Sequence, residues 1–314
     1  MTTDTLKTKK NLYPEFAKII DEINRINPLQ AKRLATFFAQ QDTAYWEFCE
    51  DLSRTLNQTL FAGQMKEVVE SYNELCLRML RDQIRFRKTG VYETKDSAVA
   101  QKEIYENAVF MRRYMVGLLL TQMLWANHYQ LFRFFQSYLA DSRPQRYLEV
   151  GAGHGLFLVE AKRRFSSLEA VVCDVSGASI NICREIVEGF GMDPKTVEFR
   201  CEDFFKVDLG GECFDFVAAG EVLEHVNNAP DFLKRLQGFV RPAGRVYLST
   251  CANCPAPDHV YHFRNVDEIR KLVRGSGFII EQEIFLAAEN VPAQLWEEQL
   301  VTVNYAAILR PKKK

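Results

Sequence analysis

Apolar positions recur at helical spacing through the first half of the chain. EFAKIIDEINRI (15–26), QAKRLATFFAQ (30–40), the long run from Tyr45 to Phe86 and the run from Glu103 to Leu139 each repeat apolar residues three or four apart, and none alternates as a strand would. Breaks fall at Asn27-Pro28 and at RKTGVYETKDS (87–97), rich in loop formers. The pattern predicts an all-helical domain over residues 1–142, with DSRPQ (141–145) as the hinge into a second domain over 143–314.

Past the hinge the texture changes. Short apolar runs at Arg146–Val150, Ala170–Asp174, Val197–Cys201, Phe214–Ala219 and Arg245–Thr250 alternate with amphipathic segments such as GASINICREIVEGFG (177–191) and APDFLKRLQGFV (229–240). That alternation predicts a parallel sheet with helices on both faces. After NVDEIRKLVRGSG (265–277) come two strand-like runs with no long helix between them, FIIEQEIFLAAE and EQLVTVNYAAILR, which predict an antiparallel pair closing the sheet.

Composition narrows the partners. Of 314 residues, 40 are basic and 41 acidic, so no overall field draws the chain to nucleic acid or to an anionic membrane. Basic clusters sit at the ends, Lys7, Lys9 and Lys10 and then Lys312 to Lys314, where solvated tails are expected. The start lacks the apolar stretch of a signal peptide and no window is long enough to span a bilayer, so a cytoplasmic protein is expected. The eight cysteines follow no framework spacing and are expected as reduced thiols. Cys251 and Cys254 form the one C-x-x-C pair, read as without metal or redox use.

The chemistry starts at YLEVGAGHGLF. A strand turning into a helix through Gly151, Gly153 and Gly155 exposes helix N–H groups and allows close approach of a ligand. The dinucleotide fingerprint G-x-G-x-x-G is absent, and Glu149 ahead of the turn would repel a diphosphate, so a cationic ligand suits it better. This E-x-G-x-G-x-G resembles the first motif of the class I S-adenosylmethionine-dependent methyltransferases. The resemblance runs from Arg146 to about Arg310. It implies a Rossmann-like, doubly wound seven-stranded α/β sheet with an antiparallel C-terminal strand, and S-adenosylmethionine as cofactor.

The resemblance also implies a donor site. Glu149 and the three glycines would form its turn. Asp174 in AVVCDVS, with Val175 beside it, would hold the ribose hydroxyls, two acceptor oxygens matching a vicinal diol. Asp203 and Phe204 in CEDFF would meet the adenine, and Glu221 in GEVLEHV would stand by the methionine moiety, with His225 on the pocket wall toward the acceptor. Glu221, Glu224, His225 and the later His262 resemble the E-x-x-E-H…H metal set of small-RNA 2′-O-methyltransferases, but LEHV is widespread without metal and no metal is expected.

Methyl transfer from a sulfonium needs positioning and, for oxygen or an unactivated amine, removal of a proton. His128, His259 and His262 are the base candidates. Tyr114, Trp125 and Asn127, in YMVGLLLTQMLWANHYQLFRFF, are the candidates for acceptor contact; the same segment also reads as a core helix joining the domains. The helical half is expected to cap the donor, and it could also build a homodimer. The sequence thus predicts a methyltransferase acting on an oxygen or nitrogen of a small molecule, in specialised metabolism. Two alternatives stay open: a non-methylating enzyme that consumes the same cofactor, by cyclisation to azetidine-2-carboxylate or aminocarboxypropyl transfer with release of methylthioadenosine, and an inactive binding module.

Overall fold

The computed structural model describes residues 3–211 and 213–312. Helices α1 (Thr3–Leu12), α2 (Pro14–Ile26), α3 (Pro28–Phe38), α4 (Thr43–Thr55), α5 (Met65–Thr89), α6 (Ser97–Ala100), α7 (Ala108–Leu124) and α8 (Ala126–Ser142) build the first half. Their starts are fixed by caps: the side chains of Asn27, Asp42 and Asn107 accept from the backbone N–H groups of Gln30, Tyr45 and Phe110.

Two long runs break where apolar spacing gave no warning. Tyr45–Phe86 is split after a π-helical segment, Leu56–Leu60, by a turn containing Gly63 at φ +75°. Glu103–Leu139 opens within a π-helical segment, Gln101–Tyr105, and breaks again at Trp125, whose φ of −115° and ψ of 122° are extended. The N-terminal lysines are not a free tail: α1 is helical, Lys10 pairs with Asp21, and Lys9 lies 5.5 Å from the ring centre of Tyr13. Of the C-terminal cluster, Lys313 and Lys314 lie outside the described residues.

The second half runs β1 (Arg146–Val150), α9 (Leu156–Arg164), β2 (Glu169–Asp174), α10 (Gly177–Gly189), β3 (Val197–Cys201), β4 (Phe214–Gly220), α11 (Ala229–Phe239), β5 (Val240–Ala252), α12 (Val266–Gly275), β6 (Phe278–Ala287), β7 (Val303–Pro311). Strand β5 starts at Val240, ahead of the predicted Arg245. The seven strands lie in the order β3-β2-β1-β4-β5-β7-β6; β1 to β5 are parallel and β7 is antiparallel to both neighbours. This is the predicted Rossmann-like sheet with its antiparallel end. After β3 the chain crosses to the other side of β1, and such a reversal leaves a crevice beyond the carboxyl ends of β1 and β4.

One face of the sheet packs on α11 and α12 through Leu233, Leu236, Ile269 and Val273. The other shares a continuous apolar core with the helical half. Helix α8 lies on this face, where the Phe135 ring meets those of Phe157, Phe216 and Tyr247 at 4.6, 6.0 and 5.2 Å. The helical half is thereby held over the crevice.

Candidate active site

A cavity of about 1240 Å³ fills the crevice and continues beneath the helical half. Gly151 leaves β1 at φ +69°, and a Cβ there would stand 2.4 Å from Val222 Cγ2, so the turns after β1 and β4 meet only because this position has no side chain. Asp174, buried at the end of β2, accepts from Gly153 N at 3.2 Å and Ser176 N at 2.8 Å. Burial raises its pKa, against the pull of those two N–H groups. A carboxylate has about four lone-pair sites, so acceptor capacity remains for a diol. Val175, exposed, and Asp203, whose Oδ1 accepts from Phe205 N at 2.9 Å, line the same side.

Several expected donor contacts have other work. Gly155, at φ +74°, is absent from the cavity wall; a Cβ there would lie 2.4 Å from Cys183 Sγ, so it permits α9 to pack on α10. Glu149 is buried behind β1, also off the wall, and accepts from Tyr147 Oη at 2.7 Å; burial, with the Asp174 charge adding to it, pushes its pKa up to about 8. Phe204 touches the cavity, but its ring packs on Phe232 and Phe239 at 5.0 and 5.7 Å, whereas Phe205 is the exposed aromatic.

The far side is lined by the cap. Thr121 Oγ1 donates to Leu118 O at 2.6 Å, so it can only accept from His128 Nδ1 at 2.7 Å, which leaves His128 Nε2 as the lone-pair nitrogen. Burial lowers the His128 pKa to about 4, so the ring is neutral at physiological pH. Asn127 donates to Asn304 Oδ1 at 2.5 Å, and Trp125 Nε1 to Tyr72 Oη at 3.1 Å. Two tyrosines converge on buried Asp258: Tyr105 Oη donates to Oδ2 at 3.2 Å and Tyr114 Oη to Oδ1 at 3.3 Å. Burial, then the Asp258 charge, holds both phenols far above their ordinary pKa, so both remain donors. His225 Nδ1 donates to Asp258 O at 3.0 Å. Tyr105, Thr121 and Asp258 were missed from sequence; Asp258 stands beside His259 in DHVYHF, while nothing marks the other two.

The remaining histidines divide. His259 lines the cavity and donates from Nδ1 to Cys254 O at 2.6 Å. Burial pulls its pKa down, but the Cys254 thiolate, with Glu224 and Asp258, outweighs this and pushes it up to about 10. A proton held that firmly makes it a poor base at neutral pH. His262 is not on the wall at all: its Nε2 meets Asn253 Oδ1 at 2.9 Å and its ring packs on Phe86 and Tyr92, which removes it from both the base candidates and the E-x-x-E-H…H set. Glu221, at φ +53°, is held by Ser249 O and Oγ through its backbone N–H, and its buried Oε1 has no hydrogen-bond partner.

These residues fit S-adenosylmethionine. The side-chain-free turn at Gly151, the spare acceptor sites on Asp174 and the orphaned Glu221 Oε1 all face one crevice. Fold and site together define a Rossmann-like protein that takes a nucleoside at the switch point of its sheet. The chain belongs to the class I S-adenosylmethionine-dependent methyltransferase family: the family described as "Methyltransferase domain" matches residues 124–283. Among curated proteins it is 31% identical over 105 residues to a ubiquinone biosynthesis O-methyltransferase of Rhodopseudomonas palustris (strain BisB5), covering 33% of this chain and 39% of that protein. It is 30% identical over 125 residues to the mitochondrial ubiquinone biosynthesis O-methyltransferase of Arabidopsis thaliana, covering 38% and 37%. The matches thus span about two fifths of these relatives. Among solved structures, the mitomycin 7-O-methyltransferase MmcR superposes with a TM-score of 0.51 at 14% identity, over 80% of this chain and 71% of that one, a likeness of fold. S-adenosylmethionine is the cofactor of the family.

Proposed function

We propose that the protein transfers a methyl group to a hydroxyl oxygen of a small molecule enclosed beneath the helical cap. The observation that carries this is the cavity itself. At about 1240 Å³ it exceeds the roughly 300–1,000 Å³ of a pocket for one ligand, and it runs from the glycine turn to His128. When bound, S-adenosylmethionine supplies an activated methyl group on its sulfonium. Gly151, Gly153, Asp174, Val175, Asp203 and Glu221 would hold it. His128, oriented by Thr121, receives the acceptor's proton at Nε2; with a pKa of about 4 it is a weak base, available over the whole neutral range. Asn127, fixed by Asn304, and the Tyr105–Asp258–Tyr114 cluster orient the acceptor, while the cap excludes water. The O-methyltransferase relatives favour oxygen over nitrogen. All eight cysteines are free, which favours a reducing compartment such as the cytoplasm.

Incubation with S-adenosylmethionine and a panel of phenols, alcohols and amines tests the reading. Acceptor-dependent S-adenosylhomocysteine is expected, with His128→Gln lowering turnover at least tenfold and leaving donor affinity unchanged. Methylthioadenosine released without any acceptor would overturn methyl transfer in favour of cyclisation. Full turnover of His128→Gln across the pH range would remove His128 from the mechanism.

A further inference from the structure

A second cluster of reactive side chains lies against the cavity with no part in the reading above. Cys251 is the last residue but one of β5, Cys254 follows a turn, and His259 stands five residues on; all three are buried, and one donor atom from each lies within 4.8 Å of the others. The turn that brings the thiols together is built firmly. Asn253 sits at φ +49°, its N–H donating to Phe263 O at 2.9 Å and its Nδ2 to Arg264 O at 2.8 Å, while Tyr92 Oη accepts from Cys254 N at 2.8 Å. His259 donates from Nδ1 to Cys254 O at 2.6 Å and brings the same nitrogen to 4.0 Å from Cys251 Sγ; loss of the second ring proton would leave Nε2 as the lone-pair nitrogen, the arrangement that second partners impose on metal-ligating histidines. Next to the thiols is the buried Glu224 carboxylate, 3.8 Å from Cys251 Sγ and fixed by Thr250 Oγ1 at 2.7 Å. Among the described residues no lysine or arginine is ion-paired to Glu224 or to the half-buried Glu221, so the His259 ring carries the positive charge nearest these acids and the two thiols.

We infer that Cys251, Cys254 and His259 bind a thiophilic divalent cation, zinc, with Glu224 beside them to complete or support the coordination. Two sulfurs and an imidazole select zinc over magnesium, which takes oxygen ligands. Binding expels the Cys251 thiol proton and the second His259 ring proton to solvent, and the cation takes over the positive charge that the ring carried. As a ligand, His259 could not serve as the base, which leaves His128 in that role. The sequence hid the site because the pair Cys251–Cys254 has no second pair to complete it, and its third donor comes from a loop without periodicity.

The test uses the full chain, reduced and stripped of metal, titrated with zinc sulfate alone and separately with cobalt(II) chloride. One zinc per chain surviving dialysis, and a sulfur-to-cobalt charge-transfer band, are expected. Cys254→Ser should abolish the band and weaken zinc by roughly 100-fold or more, while calorimetry shows S-adenosylmethionine still bound. No retained zinc in the unaltered protein, or a cobalt spectrum with oxygen and nitrogen bands only, overturns the proposal. Should Cys254→Ser fail to fold, the band of the unaltered protein decides alone.

Discussion

Asp174 already carries two backbone N–H groups, so its carboxylate is oriented before a ligand arrives. Asp174→Asn keeps the shape and one acceptor oxygen but loses the charge. Donor affinity should fall by about 2 kcal/mol, measured by calorimetry; an unchanged affinity would show that the ribose is held elsewhere. At this scale the sequence spoke unevenly. Asp174 and Gly151 were legible because one ends a predicted strand and the other follows one, where the fold dictates their direction. His259 and His262 were not separable, since three residues along an irregular loop carry no period that tells inside from outside. In CEDFF the aromatic assigned to the adenine, Phe204, is buried among Phe232 and Phe239, and neither neighbour in the sequence indicates which of the two rings turns inward.

Among elements, the packing of α9 on α10 depends on a missing side chain. Gly155→Ala would drive a Cβ to 2.4 Å from Cys183 Sγ, and at φ +74° the backbone resists any side chain. A loss of about 2–3 kcal/mol of stability is expected, seen as a lower Tm, whereas donor affinity, read on the folded protein, should change only a few-fold. A large loss of affinity with unaltered Tm would instead make Gly155 a ligand contact. The strands were legible because short apolar runs bounded by glycine or polar clusters leave little choice. The break at Trp125 was not: LLTQMLWANHYQ contains neither glycine nor proline, and the extended backbone there is fixed by tertiary contacts such as Trp125 Nε1 to Tyr72 Oη.

For the molecule as a whole, two buried histidines make acid a source of strain. His128 and His154 both have pKa values lowered by burial from 6.5 to about 4. The unfolded chain takes up their protons as pH falls below about 6.5, while the folded protein refuses them until about 4. Their stability contribution is therefore complete above the upper value and declines through that window. The raised carboxyls of Glu149 and Asp174 act in the opposite sense over the same range, so the histidine contribution is read as a difference: between neutral pH and 4.5 the Tm of the unaltered protein should shift further downward than that of His128→Gln, and parallel pH profiles of the two would mean that the folded state accepts the His128 proton. A different consequence comes from the sharing of one apolar core by the cap and the sheet. Anyone wishing to exchange caps between relatives to change the acceptor would look to the loop at 141–145 as the seam. Because α8 is moulded to Phe157, Phe216 and Tyr247, a graft joined there would bring a foreign surface onto the sheet and yield insoluble hybrids. Joined at Trp125, with α8 retained by its own sheet, the recombined protein should be recovered in soluble form, making that residue the practical border between what is inherited and what can be traded.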